Sequence, residues 1–308
     1  MLHEISFKSS NKRDTVYGFC YVPASEVKGI IQLIHGLGEH SRRYIHMISK
    51  FLDHGFIVCC DDHVGHGKTA MENKTWCDYG DQGYETMVKD EKILHDKVRE
   101  LYKDLPYFIY GHSMGSMIAR EYMARFPEDL RAVCLCGTVS SMDGLDEFIQ
   151  KIEKEVEAGR GEEDGSKFIG ELFADFFNQV EEEVTIGNEW ICHDKYVQVD
   201  HAKDPFNSFT KPMQTRSILY FSQMLAEVVR DDWYEKVPQD LPIYNIAGSE
   251  DPAGGFGKGV LDIDKKLKDS GHKIETKIYD GYRHEIHNYK DIRDQVEDGI
   301  VKFFEKHL

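Results

Sequence analysis

Apolar positions along the chain follow two periods. Short continuous runs rich in β-branched and aromatic residues recur at residues 29–34, 56–60, 107–110, 130–136 and 241–247. Runs of this length suit strands covered on both faces, as in a largely parallel sheet. Between them the spacing turns helical. One such segment is opened by Ser41, runs to about Asp53 and closes at Gly55. A second covers about 84–104, with Ile93, Leu94, Val98 and Leu101 facing inward. In a third, Met114, Met117, Ile118 and Tyr122 recur until Pro127 stops the pattern. Residues 3–8 and 15–22 alternate weakly and predict a leading hairpin. Residues 274–279 alternate as a last strand, and a helix over about 289–306 closes the chain. The βαβαβ order predicts an α/β fold with right-handed crossovers and a mostly parallel central sheet flanked by helices.

At Gly137 the pattern changes. Residues 137–225 contain no convincing buried strand and read as helices, with an apolar stripe of Phe168, Ile169, Leu172, Phe173, Phe176 and Phe177. That stripe suits either ordinary helix core or the wall of an acyl pocket. The acidic, glycine-bearing stretch from Glu153 to Gly165 reads as mobile and solvated. An insertion of this length between two sheet strands predicts a helical cap, or lid, at 137–225, set on a core formed by 1–136 and 226–308.

Four strand ends carry the candidate chemistry. The run Tyr107–Tyr110 leads into Gly111-His112-Ser113-Met114-Gly115, and a helical pattern follows. Strand, sharp turn and helix is the context in which Gly-x-Ser-x-Gly forms a nucleophile elbow. Gly111 and Gly115 stand where backbone must pass closely, and Ser113 is the candidate nucleophile. Met114 offers a backbone N–H at a helix start, where unpaired donors and the dipole favour an anion. After residues 29–34 comes His35-Gly36-Leu37-Gly38-Glu39-His40, a loop placed to expose a second oxyanion donor at Leu37. Residues 241–247 end in Gly248-Ser249-Glu250-Asp251-Pro252, and residues 274–279 in Gly281-Tyr282-Arg283-His284-Glu285.

Ser113, Asp251 and His284 each follow a predicted parallel strand, so all three reach one sheet edge, in the chain order of α/β-hydrolases. A serine hydroxyl needs a base to take its proton. Imidazole, with an ordinary pKa of ~6.5, takes and returns one near neutrality. A buried carboxylate holds the imidazole tautomer and stabilises the imidazolium. Glu250 and Asp143 are the competing acids, and His287 competes with His284. His112 flanks the nucleophile and is expected to point elsewhere.

The stretch Asp61-Asp62-His63-Val64-Gly65-His66-Gly67-Lys68 has the residue types of a metal site. Its glycine-dominated spacing lacks the helical histidine pair of a zinc protease. A polar loop near the site but outside its chemistry fits better, and no metal or cofactor is expected.

Composition excludes some partners. The chain has 308 residues and a net charge of −17. So acidic a chain lacks the basic patch that nucleic acid requires. No run approaches the ~18 apolar residues of a membrane span, which argues against stable insertion and leaves room for transient lipid contact through the cap. Seven cysteines without a CxxC suggest buried free thiols in a reducing compartment. With no basic n-region or apolar h-region at residues 1–7, a cytoplasmic enzyme is the expectation.

Several of these segments resemble one family. His35-Gly36-Leu37-Gly38-Glu39-His40-Ser41 with Arg43-Tyr44, Asp62-His63-Val64-Gly65-His66-Gly67, and the elbow Gly111–Gly115 are similar to segments of monoacylglycerol lipases and related lysophospholipases, the serine aminopeptidase-like branch of α/β-hydrolases. Asp251-Pro252 and Arg283-His284-Glu285 stand where that family places its acid and base. The resemblance covers roughly 28–136 and 241–308. It implies a serine hydrolase cleaving carboxylic esters of single-chain lipids through an acyl-enzyme on Ser113, with a small-molecule acyl ester as partner and no cofactor. A peptidase, a small-ester carboxylesterase and a non-catalytic binding module stand as alternatives. Ser116 departs from the family's second glycine after the elbow and predicts slightly looser helix–strand packing. The cap matches nothing in the family.

Overall fold

In the computed structural model, residues 1–177, 180, 184–208 and 211–308 are described, those of 172–177 by backbone alone. The chain forms β1 (Leu2–Lys8), β2 (Thr15–Tyr21), β3 (Gly29–Ile34), α1 (Ile45–Asp53), β4 (Phe56–Asp62), α2 (Gly67–Asn73), α3 (Glu85–Leu101), β5 (Tyr107–His112), α4 (Met114–Arg125) and β6 (Leu130–Cys136). Then follow α5 (Leu145–Glu155), α6 (Ser166–Phe177), α7 (Lys195–Lys203), α8 (Thr215–Val229), α9 (Trp233–Lys236), β7 (Ile243–Gly248), α10 (Lys258–Asp269), β8 (Ile274–Tyr279) and α11 (Arg293–Glu305).

The strands make one sheet in the order β1-β2-β4-β3-β5-β6-β7-β8. The leading hairpin is antiparallel, and β2 runs antiparallel to β4. From β4 to β8 every neighbouring pair is parallel. β3, β4, β5 and β7 are buried at every residue. Their continuous apolar runs nonetheless divide by the period of two that a strand imposes. Ile30, Ile57, Ile109 and Val133 join a layer with Leu94, Val98 and Met117 of α3 and α4. Ile31, Val58, Phe108 and Cys134 join the opposite layer with Phe51 of α1 and Phe304 of α11. Helices thus cover both faces.

Two local expectations are revised. Ser41 does not cap α1. It opens a short 3₁₀ turn, Ser41–Tyr44, and its hydroxyl donates to Asp62 Oδ1 at 2.7 Å. The acidic stretch is tied down rather than loose: Gly165 N donates to Met213 O, Thr215 N to Glu163 O and Arg216 N to Gly161 O. Backbone pairing with the start of α8 outweighs the solvation preference of its side chains. In the apolar stripe, Phe168 is buried and Ile169 half-buried. The side chains of Leu172, Phe173, Phe176 and Phe177 lie outside the described residues. Among the described residues no helix is long and apolar enough to cross a membrane.

Candidate active site

The C-terminal ends of β3, β5, β7 and β8 converge on one edge of the sheet, where open parallel sheets place their ligands. Ser113 follows β5 with φ 56° and ψ −121°. A side chain held at positive φ is strained, and the contacts around the turn enforce it. A Cβ on Gly111 would lie 2.4 Å from Gly115 O, and one on Gly115 would lie 2.2 Å from Ile34 O. Only glycine lets α4 pass so close to β3 and β5. Ser113 N donates to Cys136 O at 3.0 Å, anchoring the turn to β6. Ser116 is buried, and its hydroxyl accepts from Val139 N at 3.4 Å.

His284 turns Nδ1 to Asp251, 2.9 Å from Oδ1 and 3.0 Å from Oδ2. Both residues are buried, and Ala253 N donates to Asp251 Oδ1 at 2.9 Å. Burial alone would lower the imidazole pKa. The Asp251 carboxylate overrides it, and the pKa lies above its ordinary value. His284 Nε2 is buried without a hydrogen-bond partner among the described residues. Ser113, His284 and Leu37 line one cavity of about 620 Å³. The competing residues go elsewhere. Glu250 pairs with His193 at 2.8 Å near the surface, and Asp143 is exposed. His287 stacks on Tyr44 and faces Cys136.

The loop bearing Leu37 is held by its first residue. His63 N donates to His35 Nε2 at 3.1 Å, so the proton of His35 sits on Nδ1, which donates to Gly36 O at 2.8 Å. Burial holds this imidazole well below its ordinary pKa, in the neutral form the arrangement needs. Carbonyl Gly36 and N–H Leu37 belong to one trans peptide and point in opposite directions. Fixing the carbonyl on His35 therefore aims the Leu37 N–H away from it. A Cβ on Gly36 would come within 3.0 Å of Ser113 Cβ, so the loop lies directly against the candidate nucleophile. Met114 opens α4, where its N–H has no intrahelical acceptor.

Three residues given no role by motif reading hold these loops together. Glu39 accepts from Gly36 N at 2.7 Å, Tyr44 Oη at 2.6 Å and Arg43 at 2.6 Å. Arg43 also makes a two-pronged pair with Glu285, at 2.7 and 2.9 Å. Arg43 is therefore the bridge between the Leu37 loop and the His284 loop. Burial would raise both carboxylates. For Glu285, Arg43 reverses that effect. For Glu39, the hydrogen bond from His112 does so first and Arg43 next, and both acids end well below the ordinary range. The i, i+4 spacing of Glu39 and Arg43 is visible in sequence. The Arg43–Glu285 contact spans 242 positions and carries no local signal.

The Asp61–Lys68 stretch frames the site. Asp62 accepts from Ser41 N at 3.0 Å and from Lys68 N at 2.7 Å. His63 lies 3.0 Å from Asp61 and 3.3 Å from Glu91. Burial alone would lower its pKa, yet the Asp61 carboxylate raises it. His66 stacks on Tyr79 and lines the cavity. All seven cysteines are free and buried.

The profile of the serine aminopeptidase S33 family matches residues 25–291. A monoacylglycerol lipase of Mycolicibacterium smegmatis is 24% identical over 291 residues, which is 94% of this chain and 92% of that protein. Among solved structures, a highly thermostable carboxyl esterase from Bacillus coagulans, in complex with glycerol, is 47% identical. It superposes with a TM-score of 0.97 over 99% of this chain and 98% of its own. A lipase in its open form is 39% identical, with a TM-score of 0.92 over 99% of each chain.

Proposed function

The chain belongs to the serine aminopeptidase S33 family, has the α/β-hydrolase fold and is a carboxylic ester hydrolase, and from that premise we propose that it cleaves single-chain acyl esters, foremost monoacylglycerols, through an acyl-enzyme on Ser113. His284 takes the Ser113 proton as the hydroxyl attacks the ester carbonyl and delivers it to the departing alcohol. Asp251 holds the ring with Nδ1–H inward and stabilises the imidazolium. The backbone N–H groups of Leu37 and Met114 hold the oxyanion, each worth about 10²–10³ in rate. Water then enters, His284 deprotonates it, and the acyl group leaves as a carboxylate. The helical segment 137–225 serves as the lid.

The observation that carries the substrate reading is the wall of the cavity above Ser113. Val139, Met142, Ile169, Met213 and Phe221 line it, a surface suited to an acyl chain. Among the described residues, Lys211 is the one lysine or arginine on that wall, and it is engaged with the Trp76 ring and Asn207 O. That favours the uncharged head group of a monoacylglycerol over the phosphodiester of a lysophospholipid. An aminopeptidase needs a carboxylate to hold a free amine. The lining acids Glu39 and Glu285 are both already paired with Arg43, and Asp164 accepts from Ser166 N. This weighs against the peptidase reading.

The test is hydrolysis of p-nitrophenyl esters from C2 to C16 and of monoacylglycerols, with fluorophosphonate labelling and Ser113→Ala as control. Medium- or long-chain activity that disappears with labelling in the variant is the expected result. Activity confined to C2–C4 would make this a small-ester esterase. Labelling that survives Ser113→Ala would remove Ser113 as the nucleophile.

A further inference from the structure

Beside the candidate triad lies a group of donors that this mechanism does not use. His112, Cys136 and His287 are fully buried, and one nitrogen of each histidine and the Cys136 sulfur lie within 4.8 Å of one another. The sulfur stands 3.9 Å from His287 Nδ1. We infer that these three side chains form a binding site for a soft divalent cation of the Zn²⁺ or Cd²⁺ class, and that its occupation inhibits ester hydrolysis.

The donor set is the first argument. Imidazole nitrogen and thiolate sulfur are both zinc ligands, and sulfur selects soft cations over Mg²⁺ or Ca²⁺. The second argument is the state of His112. Its Nδ1 faces the Glu39 carboxylate at 3.2 Å and Tyr44 Oη at 2.8 Å. Its Nε2 is buried with no hydrogen-bond partner among the described residues. A Cβ on Gly137 would lie 3.1 Å from that Nε2, so the unpaired edge of the ring faces the backbone directly after Cys136. A carboxylate behind one imidazole nitrogen, with a lone pair free on the other, is the outer-shell arrangement that orients metal-binding histidines.

Charge also favours a cation. Glu39 and Glu285 place two carboxylates against the single guanidinium of Arg43, one net negative charge beside the site. Binding forms a metal–sulfur bond and sends the thiol proton to solvent, with no change of oxidation state. The cation reaches the site from the cavity, which His112 also lines.

Inhibition follows from proximity. The His112 and His284 rings are 4.8 Å apart between centroids. A dication on His112 opposes the imidazolium that His284 must become during acyl transfer. This consequence rests on His284 serving as the base; the binding itself does not.

The test uses the full chain after EDTA treatment, titrated with Cd²⁺. A sulfur-to-cadmium charge-transfer band in the ultraviolet should saturate at one ion per chain, while ester hydrolysis falls in parallel and recovers with EDTA. Zn²⁺ should compete. Cys136→Ser should abolish the band and raise the Cd²⁺ concentration for half-inhibition more than about tenfold, each measured against the variant's own metal-free rate. His287→Gln should weaken binding independently if the cysteine variant fails to fold. No band, or a band unchanged in Cys136→Ser and His287→Gln, overturns the site. A band lost in Cys136→Ser without any effect of Cd²⁺ on hydrolysis keeps the site and overturns the inhibition.

Discussion

Asp251 presents both of its carboxylate oxygens to a single nitrogen of His284, at 2.9 and 3.0 Å, inside a buried pocket. Burial and charge act in opposite directions on that ring, and the charge prevails, so the imidazolium is favoured to higher pH than in a free histidine. In the proposed mechanism His284 must be neutral to accept the Ser113 proton. kcat/KM should therefore rise with pH through a midpoint above ~6.5, the ordinary imidazole value.

Asp251→Asn should move that midpoint the other way. With the carboxylate gone, burial acts alone and lowers the imidazole, so the limb shifts to lower pH. The rate on the plateau should fall by about 10³–10⁴, because the amide no longer enforces the tautomer with Nδ1–H inward. A pH profile of kcat/KM for both proteins checks this. A limb that stays in place while the rate falls would remove Asp251 as the partner that sets the ring's charge.

How much of this was legible in the sequence depends on how local each interaction is. The elbow is local: Gly111, Ser113 and Gly115 lie on one strand-turn-helix, and their steric requirements are written into five positions. Asp251 and His284 were singled out by rule, as residues just past parallel strands, and the structure brings the two into contact. Arg43 was not assigned a role, because its value comes from Glu285, which the sheet order brings near and no spacing announces. Helix α2 also escaped. Its start looks uncapped, since His66 supplies no side-chain cap, and the acceptor for Lys68 N is Asp62, outside the position where a cap is sought. Gly67, which suggested a loop, is required there because a Cβ would lie 2.3 Å from Asp62 Oδ2.

The Glu39–Arg43–Glu285 pairing should also be visible in stability. Replacing Arg43 with Met leaves two buried carboxylates without their cation, a loss of about 3–5 kcal/mol at pH 7. Both carboxylates have pKa values depressed below the unfolded value in the native protein. Their contribution is therefore fully present above the unfolded pKa of ~4.3 and fades as pH falls through the folded values. The gap in unfolding free energy between the native chain and Arg43→Met should narrow below about pH 4. Urea unfolding at pH 7 and at about pH 3 measures it. Adding Glu285→Gln to Arg43→Met should recover part of the loss at pH 7.

Gly137 offers a steric test. It sits at φ 55°, and a Cβ there would lie 3.1 Å from both His112 Nε2 and His284 Cε1. Gly137→Ala should lower stability by about 1–2 kcal/mol for the left-handed backbone. The displaced imidazole should cost about 10²-fold in kcat, with a smaller change in KM. Thermal unfolding and steady-state kinetics separate the two effects. A variant that loses stability but keeps kcat would mean that His284 yields without leaving its working position.

Chain-length preference should follow the cavity wall. Met142 and Met213 lie in the segment between β6 and β7, and both line the space above Ser113. Neither takes part in the proton transfers. Replacing either with Trp fills volume without adding charge. The optimum along a C2–C16 ester series should therefore shift to shorter chains, with C4 hydrolysis within about threefold of the parent and C12–C16 hydrolysis reduced by about 10-fold or more. One methylene in an apolar pocket is worth about 1–3 kcal/mol at most, so several excluded methylenes easily supply that loss. The pattern across the series is the diagnostic. An equal loss at every length would indicate a general disturbance of the Ser113 region. An unchanged profile would place the acyl chain along another part of the cavity, such as the side lined by Trp190 and Ile191.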